Sequence, residues 1–215
     1  MRLLQIDPTE YQKLDADDEC YYIGEYTSGG TYRASETNQL IHNLKKKPSV
    51  PEAQLRYKRQ AIQQAANQLR TVLRLDVVAQ RFTIVPAPCS KLATDPEYDD
   101  RMFQVVNVLR AMEPRLDVRR LVIATSVRPS QHEGNRLSVG EIEASMGIDN
   151  GSLNPQLKRA VMIVDDVFTM GGTFKAMQRH VSKLPGVETV FGVFLAKTVW
   201  PALDPASVFS IADEF

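Results

Sequence analysis

A chain of 215 residues can bury one sizeable core, so a single α/β domain with a small appendage is the simplest expectation. Its 26 Lys+Arg balance 26 Asp+Glu, which gives no general attraction to nucleic acid or to an anionic membrane. Cys20 and Cys89 lie far apart and outside any metal-ligand spacing, which points to reduced thiols in a cytoplasmic protein rather than a disulfide scaffold.

The opening MRLLQIDPTEYQKLDADDE turns acidic at once and has no signal-peptide core, and no apolar window approaches a membrane span. Residues 1–48 read as a small subdomain. Cys20–Tyr26 and Thr31–Ala34 flank the turn Thr27-Ser28-Gly29-Gly30, which predicts a hairpin, and Glu36–Lys46 predicts a short helix with Leu40, Ile41 and Leu44 on one side. Lys45-Lys46-Lys47 and Arg119-Arg120 are basic runs too short to mark more than solvated surface.

The α/β core is then expected over 49–215. Ser49-Val50-Pro51-Glu52 has the spacing of a capping box, and Leu55, Ile62, Ala65, Ala66, Leu69 and Leu73 carry helical periodicity to about Arg74. Arg81–Val85 is a short apolar strand stopped by Pro86. Asp95-Pro96 signals a helix start, and Tyr98, Met102, Val105, Val106, Leu109 and Met112 form its apolar stripe. Val118–Ala124 is the next predicted strand. The polar stretch Thr125–Pro155 is too long for an ordinary connection, with a short helix within it over Ser138–Met146. Arg159–Val164 is a third strand, Gly172–Leu184 a helix facing inward through Phe174, Met177 and Val181, and Thr189–Ala196 a fourth strand. Strands alternating with amphipathic helices imply a parallel sheet covered on both faces.

The chemistry concentrates in Val161-Met-Ile-Val-Asp165-Asp166-Val-Phe-Thr169-Met170-Gly171-Gly172-Thr173. An apolar strand delivers two carboxylates at its C-terminal end, where open α/β sheets bind ligands. A turn of Thr169, Met170, Gly171, Gly172 and Thr173 then opens a helix whose backbone N–H groups and positive terminus suit a phosphate. Carboxylates repel a phosphate but accept hydrogen bonds from vicinal hydroxyls, so the segment matches a sugar diol joined to a 5-phosphate. A structural turn with an Asp cap is the plain alternative.

This stretch resembles the signature of type I phosphoribosyltransferases, and the chain looks closest to their competence-associated, ComF-like members. The resemblance implies a Rossmann-like parallel sheet flanked by helices with a small N-terminal hood. It also implies a cytoplasmic enzyme that binds phosphoribosyl pyrophosphate, or a related nucleotide, and displaces pyrophosphate at C1 with a nitrogenous acceptor. Asp165 and Asp166 would hold the ribose hydroxyls, and Thr169–Thr173 would wrap the 5-phosphate, with Met170 standing where the family carries Thr or Gly.

Ser90 and Lys91, in the proline-bracketed turn Pro86-Ala-Pro88-Cys89-Ser90-Lys91, sit where the family's pyrophosphate loop lies. Arg101 matches a basic position of the subgroup, against the simpler reading of an i,i+4 pair with Glu97. Arg128, His132 and Arg136 fall in a segment that resembles the family's mobile loop and would meet the pyrophosphate on closure. Tyr26–Tyr32 and Leu40–Lys45 resemble the opening of the subgroup's hood, whose Tyr21, Tyr22, Tyr26 and Tyr32 offer stacking surfaces or packing.

Mg2+ would be held mainly by substrate, so no protein metal ligand is assigned. His42, His132 and His180 form no ligand spacing, and His180 is expected on a helix surface. A homo-oligomer or a protein partner is left open, and neither a membrane nor a nucleic acid is indicated. A second reading is a catalytically silent ligand-binding regulator, or a toxin-like effector of a bacterial antiviral defence system. Under either, Asn at Asp165 or Asp166 is expected to weaken ligand binding and leave folding intact or improved.

Overall fold

The structure, a computed structural model, describes residues 1–127 and 137–201. The chain begins with β1 (Leu4–Gln5), a short 3-10 turn (Pro8–Glu10), β2 (Cys20–Thr27), α1 (Glu36–Leu44) and α2 (Glu52–Val72). It continues through α3 (Leu75–Arg81), β3 (Phe82–Pro86), α4 (Arg101–Met112), β4 (Asp117–Val118) and β5 (Val122–Ala124). After the undescribed stretch come α5 (Val139–Ala144), β6 (Met146–Ile148), β7 (Ala160–Phe168), α6 (Gly172–Val181) and β8 (Thr189–Val199).

Six strands form one sheet in the order β1-β2-β8-β7-β3-β4, parallel throughout except for β1 against β2. Helices cover both faces, as near-continuous apolar strands such as Val161–Val164 require. On one face α1, α2 and α4 bury Leu40, Ile41, Leu44, Ile62, Leu69, Met102, Val105 and Leu109 against Ile84, Met162 and Val164. On the other, α6 and α5 bury Phe174, Met177, Val181 and Ile142 against Val161, Ile163 and Phe194. This mixed α/β architecture is compatible with a Rossmann-like fold. None of the helices described is long and apolar enough to cross a membrane.

Several local expectations are corrected. Thr31–Ala34 forms no strand; β2 pairs instead with β8, Cys20 opposite Gly192 and Thr27 opposite Val199. The 1–48 segment therefore supplies two strands of the main sheet and, through α1, part of its helical cover. Turn residues signal a reversal but not which strand becomes the neighbour, and a partner this distant leaves no local pattern. The Ser49–Glu52 capping box does not form, since Pro51 caps α2 without a side-chain bond. The actual box is Ser138–Glu141 at α5, where the Ser138 hydroxyl accepts from the Glu141 N–H and the Glu141 carboxylate accepts from the Ser138 N–H.

Asp95 caps a turn, accepting from the Glu97 N–H at 2.8 Å, and α4 starts only at Arg101. The predicted strand Val118–Ala124 divides at Arg119-Arg120. Its first part, β4, joins the main sheet, and its second, β5, pairs with β6 in a separate two-stranded arm. Arg119 is not solvated surface: its side chain is 9% exposed, bound to Asp117 and to the carbonyls of Ser152, Pro155 and Gln156. His180 is half-buried, its ring nitrogen 3.0 Å from the Glu143 carbonyl oxygen.

Candidate functional site

β3 and β7 are neighbours, with Pro86 opposite Val164, but the helices that follow them pack on opposite faces of the sheet: α4 on one, α6 on the other. The connections therefore diverge from the two C-terminal strand ends. This is the topological switch point at which open α/β sheets bind ligands. The β3 end leads into Ala87–Lys91, and the β7 end carries Asp165 and Asp166 and leads into the glycine turn.

That turn is built by its glycines. Gly171 caps α6 in the left-handed region at φ +78, and a Cβ there would lie 2.7 Å from Leu14. At Gly172 a Cβ would come within 3.0 Å of Ile142 and 3.3 Å of the Lys13 ammonium. The close approach of Lys13 escaped the sequence reading. Nothing in YQKLDADDE marks this lysine, which reaches the α6 terminus because residues 8–18 fold back beneath it. Its Nζ donates to the Leu137 carbonyl at 2.7 Å.

A cavity of about 80 Å³ results, lined by Lys13, Asp165, Thr169, Met170, Gly171, Gly172 and Thr173 with Phe168, Phe174 and Phe194 behind. Two to three waters occupy that volume in the liquid, at about 30 Å³ each, so it suits a compact anion with the rest of the ligand extending outward. Met170 is half-buried and packs on the α6-side core, which accounts for an apolar residue in a polar turn.

The two acids have different surroundings. Asp165 is half-buried on the cavity wall, and its Oδ1 accepts the Asp166 N–H at 2.7 Å. Burial first, and the neighbouring Asp166 charge second, push its carboxyl up to about 7. Asp166 is buried and turned toward α1 and α4. Arg101 Nε donates to its Oδ2 at 2.7 Å, and Lys45 lies 3.5 Å from its Oδ1. Burial alone would raise this carboxyl, but Lys45 and Arg101 outweigh it and hold it below the usual range.

Arg101 therefore pairs with neither Glu97 nor open solvent; its partners are Asp166 and, at 2.7 Å, Asp99. Burial disfavours its charge, yet those two carboxylates raise its pKa above the ordinary value. Asp99 in turn meets Lys58 at 2.8 Å, though not as a well-directed hydrogen bond, and Lys58 donates to the Leu44 and Lys46 carbonyls. A chain of alternating charges thus runs from Lys45 through Asp166, Arg101 and Asp99 to Lys58, tying α1, α2, α4 and β7 together.

Ser90 is exposed in the loop after β3, and Lys91 pairs with Asp95 at 3.5 Å while lining a second cavity on the β5 side. Arg128, His132 and Arg136 lie outside the described residues. Asp15, Asp17 and Asp18 offer carboxylate oxygens within 4.8 Å of one another. The Lys175 ammonium already sits against this cluster, 2.7 Å from Asp18 and 2.5 Å from Asp15, so a cation has its place there. The open carboxylate at the strand end is Asp165. It fits a magnesium ion carried in by its ligand, with one contact from the protein, better than an ion held by a protein cage. No protein-family model matches the chain, and no curated protein is similar to it.

Proposed function

We propose that the protein is a type I phosphoribosyltransferase-like enzyme that binds phosphoribosyl pyrophosphate, or a related ribose 5-phosphate ligand, at the end of β7. The observation that carries this reading is one cavity bounded by Asp165, which has no ion pair among the described residues, and by a glycine turn with a lysine over its helix terminus. The Gly172 and Thr173 N–H groups, the Thr169 and Thr173 hydroxyls and Lys13 would take the 5-phosphate. Asp165 would accept hydrogen bonds from the ribose hydroxyls, with C1 and its pyrophosphate directed toward the Ala87–Lys91 loop.

The C1–oxygen bond breaks with its electron pair leaving on the pyrophosphate. The acceptor nitrogen then bonds to C1, and its proton passes to the released pyrophosphate or to water. The developing positive charge on the sugar lies near Asp165, so the protein contributes mainly position and electrostatics. Magnesium brought in with the substrate, with Asp165 as its one protein contact, would supply charge neutralisation for the pyrophosphate.

The second reading, a ligand-binding regulator or defence effector without turnover, is favoured by one observation. Asp166 is already neutralised by Arg101 and Lys45, which leaves a single free acid for the sugar. Calorimetric titration with phosphoribosyl pyrophosphate and magnesium, with pyrophosphate release measured over a panel of nitrogenous bases, distinguishes them. Saturable binding lost in Lys13→Met and Asp165→Asn supports the site; absence of binding to the intact chain sinks both readings. Binding without release of pyrophosphate for any base selects the regulator.

A further inference from the structure

Residues 11–18, which carry Lys13, form neither helix nor strand. Their backbone hydrogen bonds are local turns, from the Leu14 N–H to the Tyr11 carbonyl and from the Asp18 N–H to the Asp15 carbonyl, each at 3.0 Å. Side-chain contacts therefore set where this segment lies on α6. Two of the anchors are apolar. Tyr11 stands edge-on to Phe168 with ring centroids 4.8 Å apart, and Leu14 packs on Gly171. Burial of apolar surface is non-directional, so these two fix depth and tolerate a shift along the helix.

The third anchor is directional. Lys175, in the first turn of α6, donates to both Asp18 oxygens at 2.7 and 2.8 Å, and Gln178 Nε2 donates to Asp18 Oδ1 at 2.7 Å. Asp18 Oδ2 also accepts the Asp15 N–H at 2.7 Å. The Asp18 side chain is 2% exposed and that of Lys175 8%. Desolvation of two buried charges offsets most of their attraction, so the best-attested effect of such a pair is to fix register rather than to add stability. Lys13 lies inside the span that these anchors hold, whereas Lys175 does not line the anion cavity.

We propose that Lys175 is a positioning residue for that cavity: its bonds to Asp18 set the register of residues 11–18 on α6 and so hold the Lys13 ammonium over the helix terminus. The inference rests on the phosphate reading of the cavity. Gln178 shares the task, since it grips the same carboxylate one turn further along.

The test uses the full chain and two readouts. Acetylation by an N-hydroxysuccinimide ester, followed lysine by lysine by mass spectrometry, reports how Lys13 is held without any ligand. Calorimetry with ribose 5-phosphate reports the cavity. In the wild type, ribose 5-phosphate should slow acetylation of Lys13 and leave the exposed Lys183 unchanged. In Lys175→Met, Lys13 should acetylate faster, Lys183 at its old rate, and ribose 5-phosphate affinity should fall about tenfold, the effect of one charge-assisted hydrogen bond lost. Gln178→Leu alters no charge, so a smaller change of the same sense in both readouts there separates register from a change of electric field. Unchanged Lys13 reactivity in both variants overturns the inference alone, as does unchanged affinity in both. Absence of ribose 5-phosphate binding by the wild type overturns the phosphate reading and the inference with it. Should Lys175→Met fail to fold, Gln178→Leu decides on both readouts.

Discussion

Asp165 and Asp166 are adjacent in sequence, but their surroundings assign them different physical tasks. Between its ordinary value of 3.8 and its raised value of about 7, folded Asp165 holds a proton that the unfolded chain has released, so stability falls as pH rises through that window. Asp165→Asn should therefore melt above the wild type at pH 8, by the equivalent of about 1–2 kcal/mol after allowing for solvent on a half-buried group, and the difference should close toward pH 4. A gap of equal size at both pH values, in thermal denaturation, would contradict this. Asp166 has the opposite sign: its depressed carboxyl stabilises the fold above pH 3.8, and this contribution is lost as pH falls toward 2. Asp166→Asn takes from Arg101 one of its two carboxylates, Asp99 remaining, and from Lys45 its partner, and should cost roughly 2–3 kcal/mol in chemical denaturation. The sequence reading expected both substitutions to spare the fold. Adjacency of two acids is legible in one dimension, whereas the α4 and α1 cations that claim one of them are not.

At the level of elements, what the sequence made legible and what it did not follow from range. Apolar periodicity located α2, α4, β7 and α6, because each buries a face whose pattern is local. The capping signal at Ser49–Glu52 misled, since the same four-residue pattern is satisfied at Ser138–Glu141 and not there. The glycine turn was legible because its need is steric and local. Gly171→Ala puts a Cβ into the left-handed region and against Leu14, so it should destabilise by roughly 1–3 kcal/mol and weaken ribose 5-phosphate binding as the α6 terminus shifts. Equal melting and affinity in Gly171→Ala would show that the turn tolerates another geometry. Lys13 was not legible, because only the fold carries the N-terminal segment over that terminus.

Across the whole molecule, buried charge links segments far apart in the chain. Lys175, 6% exposed on α6, is held by Asp18 and Asp15 and so ties the segment before β2 to the site helix. Lys175→Met should lower stability by roughly 3 kcal/mol, because Asp18 would remain buried without its cation. Urea denaturation of this variant, with amide exchange along residues 11–19, checks both parts of that statement; unchanged midpoint and unchanged exchange would refute it. The overall layering, helices on both sides of a mostly parallel sheet, was readable from alternation alone. The placement of β2 was not, since strand order depends on contacts between residues at opposite ends of the sequence.

That placement has a consequence for how the molecule comes into being. β2 is synthesised well before β8, the last strand described, yet β8 is its neighbour along its length. During translation the Cys20–Thr27 edge must wait, with its amides toward β8 solvated, until Thr189–Val199 has emerged, and ordering so distant a pair slows folding. A ribosome-stalled chain ending before Thr189 would therefore leave this edge open to other strands, including those of its own siblings.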